Sequence, residues 1–220
     1  MVKGLVLEIR YLESIDSTHL YLLDALKQKQ LKPPVAVLAS KQTSGIGSRC
    51  NSWISLEGNL FLSFCIHKDT LPADLPMQSM SIYFSFLLKE LLSEKGSKVW
   101  LKWPNDFYID KQKIGGTITA IIKDEIIICS IGLNLTSAPR GFGKLDIAVD
   151  RKKLIFDYFL KLKQENFWKD IFIKYKVEFL HSTSYLYHDK ESGKKVSLQE
   201  AKLLEDGSIY LENRRIYSLR

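Results

Sequence analysis

Apolar side chains recur every three or four residues in several segments of the chain, and this spacing predicts amphipathic helices. The clearest such segment runs from Met77 to Ser93, where Met80, Phe84 and Leu87 fall on one face. A second helix is predicted to begin at Asp16-Ser17-Thr18, whose side-chain oxygens suit a helix N-terminus, and to end near Gln28. The remaining predicted helices span Arg151 to Lys163 and Phe167 to Tyr175.

Shorter apolar or alternating runs predict β-strands between these helices. The predicted strands are Leu5 to Tyr11, Val35 to Ser40, Asn59 to Ile66, Val99 to Trp103, Phe107 to Ile109, Ile114 to Lys123 and Glu125 to Asn134. The last two are joined so closely at Lys123-Asp124 that they predict an antiparallel hairpin. The expected fold class is therefore α+β, with a mixed, mainly antiparallel sheet and helices packed on it.

The pattern of apolar and turn-forming residues changes after residue 180. Short β-prone segments alternate with turns such as Glu205-Asp206-Gly207 and Glu212-Asn213, which is typical of a small all-β module. We therefore expect a main domain over residues 1–180 and a β module over residues 181–220. About forty residues bury too little core on their own, so the module is predicted to dock on the main domain.

Composition and charge narrow the class of protein only moderately. The chain has 220 residues, 45% hydrophobic and 26% charged, with a net charge of +7. It has neither a signal-peptide pattern nor an apolar run long enough to span a membrane, which predicts a cytoplasmic protein without membrane attachment. The positive charge suits an acidic partner such as nucleotide, nucleic acid or an acidic protein, but no known nucleic-acid-binding motif is present.

The most informative stretch is Lys102-Trp103-Pro104-Asn105-Asp106, followed by Lys113-Ile114-Gly115-Gly116. Proline fixes its own φ and favours extended geometry in the residue before it, so the strand is expected to end here and present two polar residues at its tip. The paired glycines allow a backbone or ligand to come close beside Lys113. Trp103 is expected to serve packing.

A glycine-containing loop, Gly45-x-Gly47-Ser48-Arg49, offers backbone N–H groups and one guanidinium. Such a loop suits an anion such as phosphate, although an ordinary surface turn fits the same pattern. It has neither the Lys-Ser/Thr ending of a P-loop nor the glycine spacing of a dinucleotide site.

Taken in order, these segments resemble the biotin protein ligases, which adenylate biotin and transfer it to a lysine of an acceptor protein. The resemblance covers Leu5 to about Asn134 and rests on the Lys102 to Gly116 block, with Asp16-Ser17-Thr18, Gln42-Thr43, Trp53 and Gly58-Asn59-Leu60 in support. It implies a catalytic domain like that of class II aminoacyl-tRNA synthetases and biotin ligases, and an SH3-like C-terminal module. It also implies an ATP-dependent enzyme with biotin, ATP and Mg²⁺ as ligands and a biotin carboxyl carrier protein as partner.

The resemblance assigns roles residue by residue. Lys113 and Arg49 would be catalytic, with the Lys113 ammonium between the biotin carboxylate and the ATP α-phosphate. The implied biotin-binding residues are Ser17, Thr18, Gln42, Gly45, Ile46, Gly47, Gly115 and Gly116. The implied nucleotide-binding residues are Ser48, Arg49, Trp53, Asn105, Asp106, Lys113 and Asn134, with Asp106 and Asn134 also reaching the metal. Hydroxyls and an amide suit biotin's neutral cyclic urea because they supply donors and acceptors without burying a charge.

The chain departs from the family pattern at two points. Its glycine loop is poor in arginine, which leaves Arg49 as the only cation there and leads us to hypothesise that biotinyl-AMP leaks before transfer. The catalytic pattern also begins within the first twenty residues, so we expect a monofunctional ligase without an N-terminal DNA-binding domain and no DNA partner. Exposed sheet edges would allow a homodimer.

Two other functions remain open from the sequence. A lipoate or octanoate ligase or transferase of the same fold would handle an acyl chain without a ureido head, and the Ser17, Thr18 and Gln42 set argues against it. A non-catalytic, basic nucleic-acid-binding module would leave the Lys102 to Gly116 block unexplained.

Overall fold

The computed structural model describes residues 8–47, 51–123, 125–188, 193 and 195–217. The helices in this part of the chain are α1 (Thr18–Lys27), α2 (Met80–Glu94), α3 (Arg151–Leu162) and α4 (Trp168–Phe179). The first nine strands are β1 (Glu8–Ile15), β2 (Val35–Gln42), β3 (Gly45–Ile46), β4 (Ser52–Trp53), β5 (Leu60–His67), β6 (Trp100–Lys102), β7 (Asp106–Ile109), β8 (Gln112–Ile122) and β9 (Ile126–Leu133). The remaining strands are β10 (Leu186–His188), β11 (Lys195–Ser197), β12 (Lys202–Leu203), β13 (Ile209–Leu211) and β14 (Arg214–Ile216).

Seven strands form the main sheet, in the order β1-β2-β5-β9-β8-β7-β6. Strands β1 and β2 are parallel, and every other neighbouring pair in this sheet is antiparallel. The predicted hairpin of β8 and β9 is confirmed, with Ile122 opposite Ile126 at its closed end. The mixed, mainly antiparallel α+β class is therefore confirmed.

Helix boundaries follow local chemistry. Helix α1 begins after Ser17, whose hydroxyl accepts a long 3.5 Å hydrogen bond from the backbone N–H of Leu20, so the predicted cap is confirmed. Helix α2 begins three residues later than predicted because Met77–Ser79 forms a 3₁₀ turn after Pro76. It ends before Gly96, whose φ of +94° lies in the left-handed region that glycine adopts readily.

The two faces of the main sheet bury different helices. On one face α2, α3 and α4 pack against strand residues such as Leu62, Phe64 and Ile131 in a large apolar cluster. On the other face α1 packs against a smaller cluster that includes Val37 and Cys65. Phe64 and Cys65 lie on opposite faces because neighbouring side chains in a strand alternate. Both faces are therefore covered, but one core is much larger.

The C-terminal residues form two small antiparallel sheets, β10 with β11 and β12-β13-β14. They share the large core through Leu198, Ile209 and Leu211, so the predicted docking on the main domain is confirmed. Trp103 is buried and donates from its indole N–H to the carbonyl of Gly207 at 2.9 Å, which supports its assignment to packing. Strand β10 was missed in the sequence, and the boundary near residue 180 stays a prediction.

The structure bears on two further expectations, the one about membrane attachment and the one about a homodimer. In the described residues, no helix combines the length and apolarity needed to cross a bilayer. Strand β1 lies at one edge of the main sheet and carries mostly exposed or half-exposed side chains. Such an edge can pair with another chain, but the homodimer stays a prediction.

Candidate active site

A cleft opens beside the start of α1, on the face of the sheet that carries this helix. Elements far apart in sequence contribute to it, including the end of β2, the β3–β4 hairpin, β8 and β9. The predicted site residues that line it are Ser17, Thr18, Gln42, Ile46, Gly47, Trp53, Asp106, Lys113 and Gly116. Gly45, Gly115, Asn105 and Asn134 are not among the lining residues.

One end of the cleft is built around the side-chain amide of Gln42. Its Oε1 accepts from the backbone N–H of Thr18 at 2.8 Å and from the Thr18 hydroxyl at 3.1 Å. Its Nε2 donates to the hydroxyl of Ser55 at 3.1 Å. The amide therefore joins the end of β2 to the start of α1. This contact brings together Thr18 and Gln42, two of the residues that the family resemblance assigns to biotin.

Three more polar side chains extend this end of the cleft. The hydroxyl of Ser63 lies 2.8 Å from that of Thr18 and 2.8 Å from that of Ser130. The Ser130 hydroxyl lies 2.8 Å from Nδ1 of His19. Burial lowers the pKa of His19, so the neutral imidazole is favoured.

Sequence reasoning missed Ser63 and Ser130, and it gave His19 no role. The two serines face each other across β5 and β9. The available signal was a hydroxyl within each of two otherwise apolar strands, LFLSFCIH and IIICSIGL. A buried hydroxyl needs a hydrogen-bond partner, so two such serines in neighbouring strands indicate a shared polar network.

The other end of the cleft is charged. The Nζ atom of Lys113 lies 2.8 Å from Oδ1 of Asp106, and the two side chains are 27% and 23% exposed. The ammonium is therefore held in the cleft rather than free in solvent. It remains accessible to a ligand that enters.

A β-bulge brings this pair together. Across β7 and β8, Asp106 pairs with Gly116. The register then shifts, so that Phe107 pairs with Gly115 but Tyr108 pairs with Lys113. An extra residue in one strand re-aims the side chains around it, and this shift turns Lys113 toward Asp106 and Gly116. A Cβ on Gly116 would lie 3.0 Å from Oδ1 of Asp106 and 3.8 Å from Cε of Lys113.

The glycines at the site have different reasons to lack a side chain. A Cβ on Gly115 would lie 2.5 Å from the carbonyl oxygen of Gly132, so close packing of β8 on β9 already requires glycine there. A Cβ on Gly45 would lie 2.7 Å from the carbonyl oxygen of Trp53, within the β3–β4 hairpin. Gly116 faces the cleft, which makes it the one of these three whose missing side chain leaves room beside the ion pair.

Trp53 forms a wall of the cleft. Its ring covers Gly132, where a Cβ would come within 2.9 Å of the indole, and the edge of Phe142 meets it at a centroid distance of 6.2 Å. Its Nε1 is buried without a hydrogen-bond partner in the described residues. Phe142 was not predicted, because it lies in an irregular loop whose path depends on distant contacts.

Asn134 is fully buried and helps fix the loop that carries Phe142. Its Nδ2 donates to the carbonyl of Gly143 at 3.0 Å, and its Oδ1 accepts a long 3.4 Å contact from Nδ2 of Asn59. The carbonyl of Lys113 accepts from the N–H of Gly143 at 2.9 Å. The amide of Asn134 is therefore engaged within the protein, and its predicted contact with nucleotide or metal stays a prediction.

Asn105 is also buried, at 3% exposure, and its side-chain Nδ2 donates to the carbonyl of Thr117. This contact ties the turn after Pro104 to β8 directly behind Asp106. The Oδ1 atom of Asn105 is buried and has no partner in the part of the chain that the structure describes. The predicted nucleotide contact of Asn105 remains untested.

The geometry of the cleft does not test the predicted phosphate contacts or the predicted metal site. Ser48 and Arg49, with the phosphate contacts assigned to them, fall outside the described residues. Among the residues that are described, no cluster of three or more His, Cys, Asp or Glu side chains could hold a metal ion by itself. Magnesium sites at substrate phosphates need only one or two protein carboxylates, so Asp106 alone suits that chemistry.

Comparisons with known proteins identify the family to which this fold belongs. A model of the biotin/lipoate A/B protein ligase family matches residues 11–135, more than half of the chain. The chain belongs to this family.

Two curated relatives carry more specific names. The bifunctional ligase/repressor BirA of Escherichia coli (strain K12) is 35% identical over 115 residues, which are 51% of this chain and 35% of BirA. Biotin–protein ligase 2 of Arabidopsis thaliana is 31% identical over 99 residues, which are 43% of this chain and 30% of that protein. The chain therefore matches about a third of the length of these relatives.

Solved structures extend the similarity to nearly the whole chain. Biotin acetyl coenzyme A carboxylase synthetase from Helicobacter pylori, crystallised with bound biotinylated ATP, is 40% identical with a TM-score of 0.90. The match covers 96% of this chain and 99% of that one. A biotin protein ligase from Aquifex aeolicus, in complex with biotin and ATP, has a TM-score of 0.71 at 22% identity and shows the shared fold.

Proposed function

We propose that this protein is a biotin protein ligase, which activates biotin with Mg·ATP to biotinyl-5′-AMP and transfers biotin to a lysine of a biotin carboxyl carrier protein. One observation carries the proposal: a single cleft has a neutral hydrogen-bonding end at Gln42 and a charged end, where the Lys113 ammonium is held by Asp106. Biotin has the matching polarity, with a neutral cyclic urea at one end and a carboxylate at the other. The names of the related proteins support the same substrate.

The neutral end of the cleft offers hydrogen-bonding groups that suit the cyclic urea of biotin. Ser17 is 1% exposed, and among the described residues its hydroxyl makes only a long contact with Leu20, so its O–H is available to a ligand carbonyl. Gln42 uses one hydrogen of its Nε2 on Ser55 and has the other available. The Thr18 hydroxyl already contacts both Gln42 and Ser63, so its main role is to fix the amide. Ile46 and Gly47 would cover the bound ring system.

The charged end of the cleft would promote the first reaction, in which biotin is activated by ATP. The biotin carboxylate oxygen would attack the α-phosphorus of ATP, and the bond from that phosphorus to pyrophosphate would break. Two anions must approach each other for this reaction, and the Lys113 ammonium can turn from Asp106 toward them. It would stabilise the charge that builds on the phosphoryl oxygens, an effect worth about 3 kcal/mol for a well-placed donor.

The nucleotide would lie between Trp53 and the ion pair. Trp53 would shelter the adenine, and Asp106 would help to hold Mg²⁺ together with the substrate phosphates, where the ion offsets phosphate charge. Asn105, Asn134, Ser48 and Arg49 complete the nucleotide set that the family resemblance implies. Leakage of biotinyl-AMP past a loop with Arg49 as its only cation is part of this proposal.

The second step would form an amide. A deprotonated lysine nitrogen of the carrier protein would attack the biotinyl carbonyl carbon and expel AMP. Binding both substrates in one cleft can supply much of the rate, because neither step needs a nucleophilic side chain. The proposal assigns the cleft to residues 1–180, includes no DNA partner and places the protein in the cytoplasm.

The test is ATP–pyrophosphate exchange with Mg²⁺ and either biotin, lipoate or octanoate, with mass detection of the acyl-adenylate. We expect biotinyl-AMP and biotin-dependent exchange. Exchange with lipoate or octanoate but not with biotin would overturn the proposal in favour of the lipoate branch of the family. Free biotinyl-AMP in the absence of carrier protein would measure leakage, and its absence would contradict the leaky-loop hypothesis.

A further inference from the structure

We propose that His19 is a specificity-determining residue whose Nε2 accepts a hydrogen bond from a ureido N–H of biotin, and that the serine-threonine network sets the tautomer in which it can do so. The inference rests on the proposed function, since it names a further contact with that substrate. His19 lines the same cleft as Ser17 and Gln42.

The direction of each hydrogen bond in the network follows from one fixed donor. The backbone N–H of Thr18 can only donate, so the Gln42 side-chain atom 2.8 Å away must be the carbonyl oxygen Oε1. That oxygen can only accept, so the Thr18 hydroxyl at 3.1 Å must donate its proton to it. The hydroxyl of Thr18 then has no proton left for its other neighbour.

The same argument passes along the network to His19. Ser63 must donate to Thr18 Oγ1, because the Thr18 proton is already used. Ser130 must then donate to Ser63. The Ser130 hydroxyl has a single proton, so Nδ1 of His19 must carry the proton of the remaining 2.8 Å contact. Neutral His19 is therefore the Nδ1–H tautomer, and its Nε2 is an acceptor.

An acceptor on the His19 ring complements the donors at this end of the cleft. A cyclic urea presents one carbonyl oxygen and two N–H donors. Ser17 and Gln42 offer donors for the carbonyl, whereas the Oε1 atom of Gln42 already accepts twice from Thr18. The Nε2 of His19 supplies an acceptor for an N–H, and a buried ureido N–H without a partner would weaken binding.

Two substitutions distinguish the role of Nδ1 from the role of Nε2 in the His19 ring. His19→Asn keeps an amide donor near the position of Nδ1 and can still donate to Ser130, but it has no atom at the position of Nε2. His19→Gln places an amide oxygen near the position of Nε2 but loses the donor to Ser130. His67→Asn is the matched control, because His67 is exposed at the end of β5 and outside this cleft.

The experiment measures biotin affinity by calorimetry for the wild type and the three variants, with thermal unfolding as the check on folding. We expect His19→Asn to bind biotin about tenfold more weakly, His19→Gln to lose about threefold, and His67→Asn to match the wild type. The two cyclic carbamate analogues of biotin, each with one ureido N–H replaced by oxygen, provide the specific readout. Wild type should bind one of them about tenfold more weakly than biotin, and His19→Asn should lose that discrimination.

A pH series gives a second readout that a purely structural role would not produce. Protonation turns Nε2 from an acceptor into a donor, and burial lowers the pKa of His19, so wild-type affinity should fall only below about pH 6.5. The charged groups among the described lining residues are Asp106 and Lys113, which remain in His19→Asn. The variant should therefore lose the component of the pH dependence that belongs to His19.

The outcomes distinguish the two proposals. If wild type binds biotin but His19→Asn binds it equally well, or discriminates against the carbamates as strongly as wild type does, the assignment of His19 is wrong and the proposed function stands. If wild type does not bind biotin, both proposals fail.

Discussion

The two faces of the main sheet use the same strands for opposite purposes. In β5, Leu62 and Phe64 point into the large core under α2, α3 and α4, whereas Ser63 points into the polar network beside α1. In β9, Ile131 joins that core while its neighbour Ser130 contacts His19. One face is packed almost wholly by apolar side chains, and the other exchanges part of that packing for hydrogen-bonding groups.

The difference shows how a site of this kind is kept rigid. Hydroxyls and glycines on the α1 face bury less apolar surface and contribute less to stability than the side chains opposite them. Because they sit on strands whose other face is tightly packed, they are held in place by a core to which they do not contribute. The comparison predicts that stability and activity will respond to substitutions on different faces.

The largest expected effect is on stability, from Phe64→Ala on the packed face. The Phe64 ring makes edge contacts with Phe84 at 5.5 Å and Phe159 at 5.4 Å, so truncation leaves a cavity and should lower the free energy of unfolding by about 3 to 5 kcal/mol. Cys65→Ala removes one small buried group on the opposite face and should cost about 1 kcal/mol. Denaturant unfolding of both variants measures the difference, and equal losses would contradict the comparison.

The next effect is on activity, from Lys113→Ala in the cleft. Removing the ammonium beside Asp106 should slow biotinyl-AMP formation about 100-fold or more, because charge in the transition state loses its partner. The free energy of unfolding should change by less than about 1 kcal/mol, since the ion pair is partly exposed. Lys111→Ala, at an exposed position in the turn before β8, is the matched control.

Pyrophosphate exchange and denaturant unfolding, made on the same samples, separate the two quantities. Loss of exchange with unchanged unfolding is the expected result for Lys113→Ala, and no change in either is expected for Lys111→Ala. Retention of wild-type exchange in Lys113→Ala would contradict the assignment of Lys113 to the activation step.

A smaller effect is expected from Ser63→Ala, which removes a link of the polar network. Thr18 then loses a donor and Ser130 loses an acceptor, both in a buried site, so the free energy of unfolding should fall by about 2 kcal/mol. Ser85→Ala is the control on the packed face. Its hydroxyl donates to the carbonyl of Ser81 in its own helix, and its loss leaves no other side chain without a partner. A cost for Ser85→Ala as large as that for Ser63→Ala would show that the network itself adds nothing.

Much of the fold was predictable because it depends on local patterns. The apolar spacing of Met80, Phe84 and Leu87 defined α2, and the close turn at Lys123 defined the β8–β9 hairpin. Strand β10 was missed because it is only three residues long, too short to show a clear alternating pattern.

The candidate site was predictable where one short segment contains its residues. Asp106 and Lys113 lie seven positions apart, and their meeting needs only the β7–β8 hairpin. The hydrogen bond from Asn134 to Gly143 and the packing of Phe142 against Trp53 could not be predicted, because both depend on the path of an irregular loop. The convergence of Thr18, Ser63 and Ser130 likewise depends on how three elements pack, which spacing along the chain does not specify.

The smallest effect concerns the rim of the packed face, where Asp206 joins the C-terminal module to the main domain. Its carboxylate accepts from Gln78 at 2.8 Å and pairs with Arg215 at 2.6 Å. Burial alone would raise the pKa of Asp206, but hydrogen bonds led by the one from Arg215 outweigh it and lower the pKa to about 2.

A pKa that is lower in the folded state than in the unfolded chain makes the charged form stabilising. The contribution of Asp206 is therefore present above its unfolded pKa, near 4, and is lost as the pH falls toward 2. After allowance for solvent screening, Asp206→Asn should lower the free energy of unfolding by about 1 kcal/mol at pH 7 and by much less near pH 2. Urea unfolding at both pH values measures this. A loss that is equal at the two pH values would mean that Asp206 holds the module by neutral hydrogen bonding alone, and that the packed face gains nothing from charge at its rim.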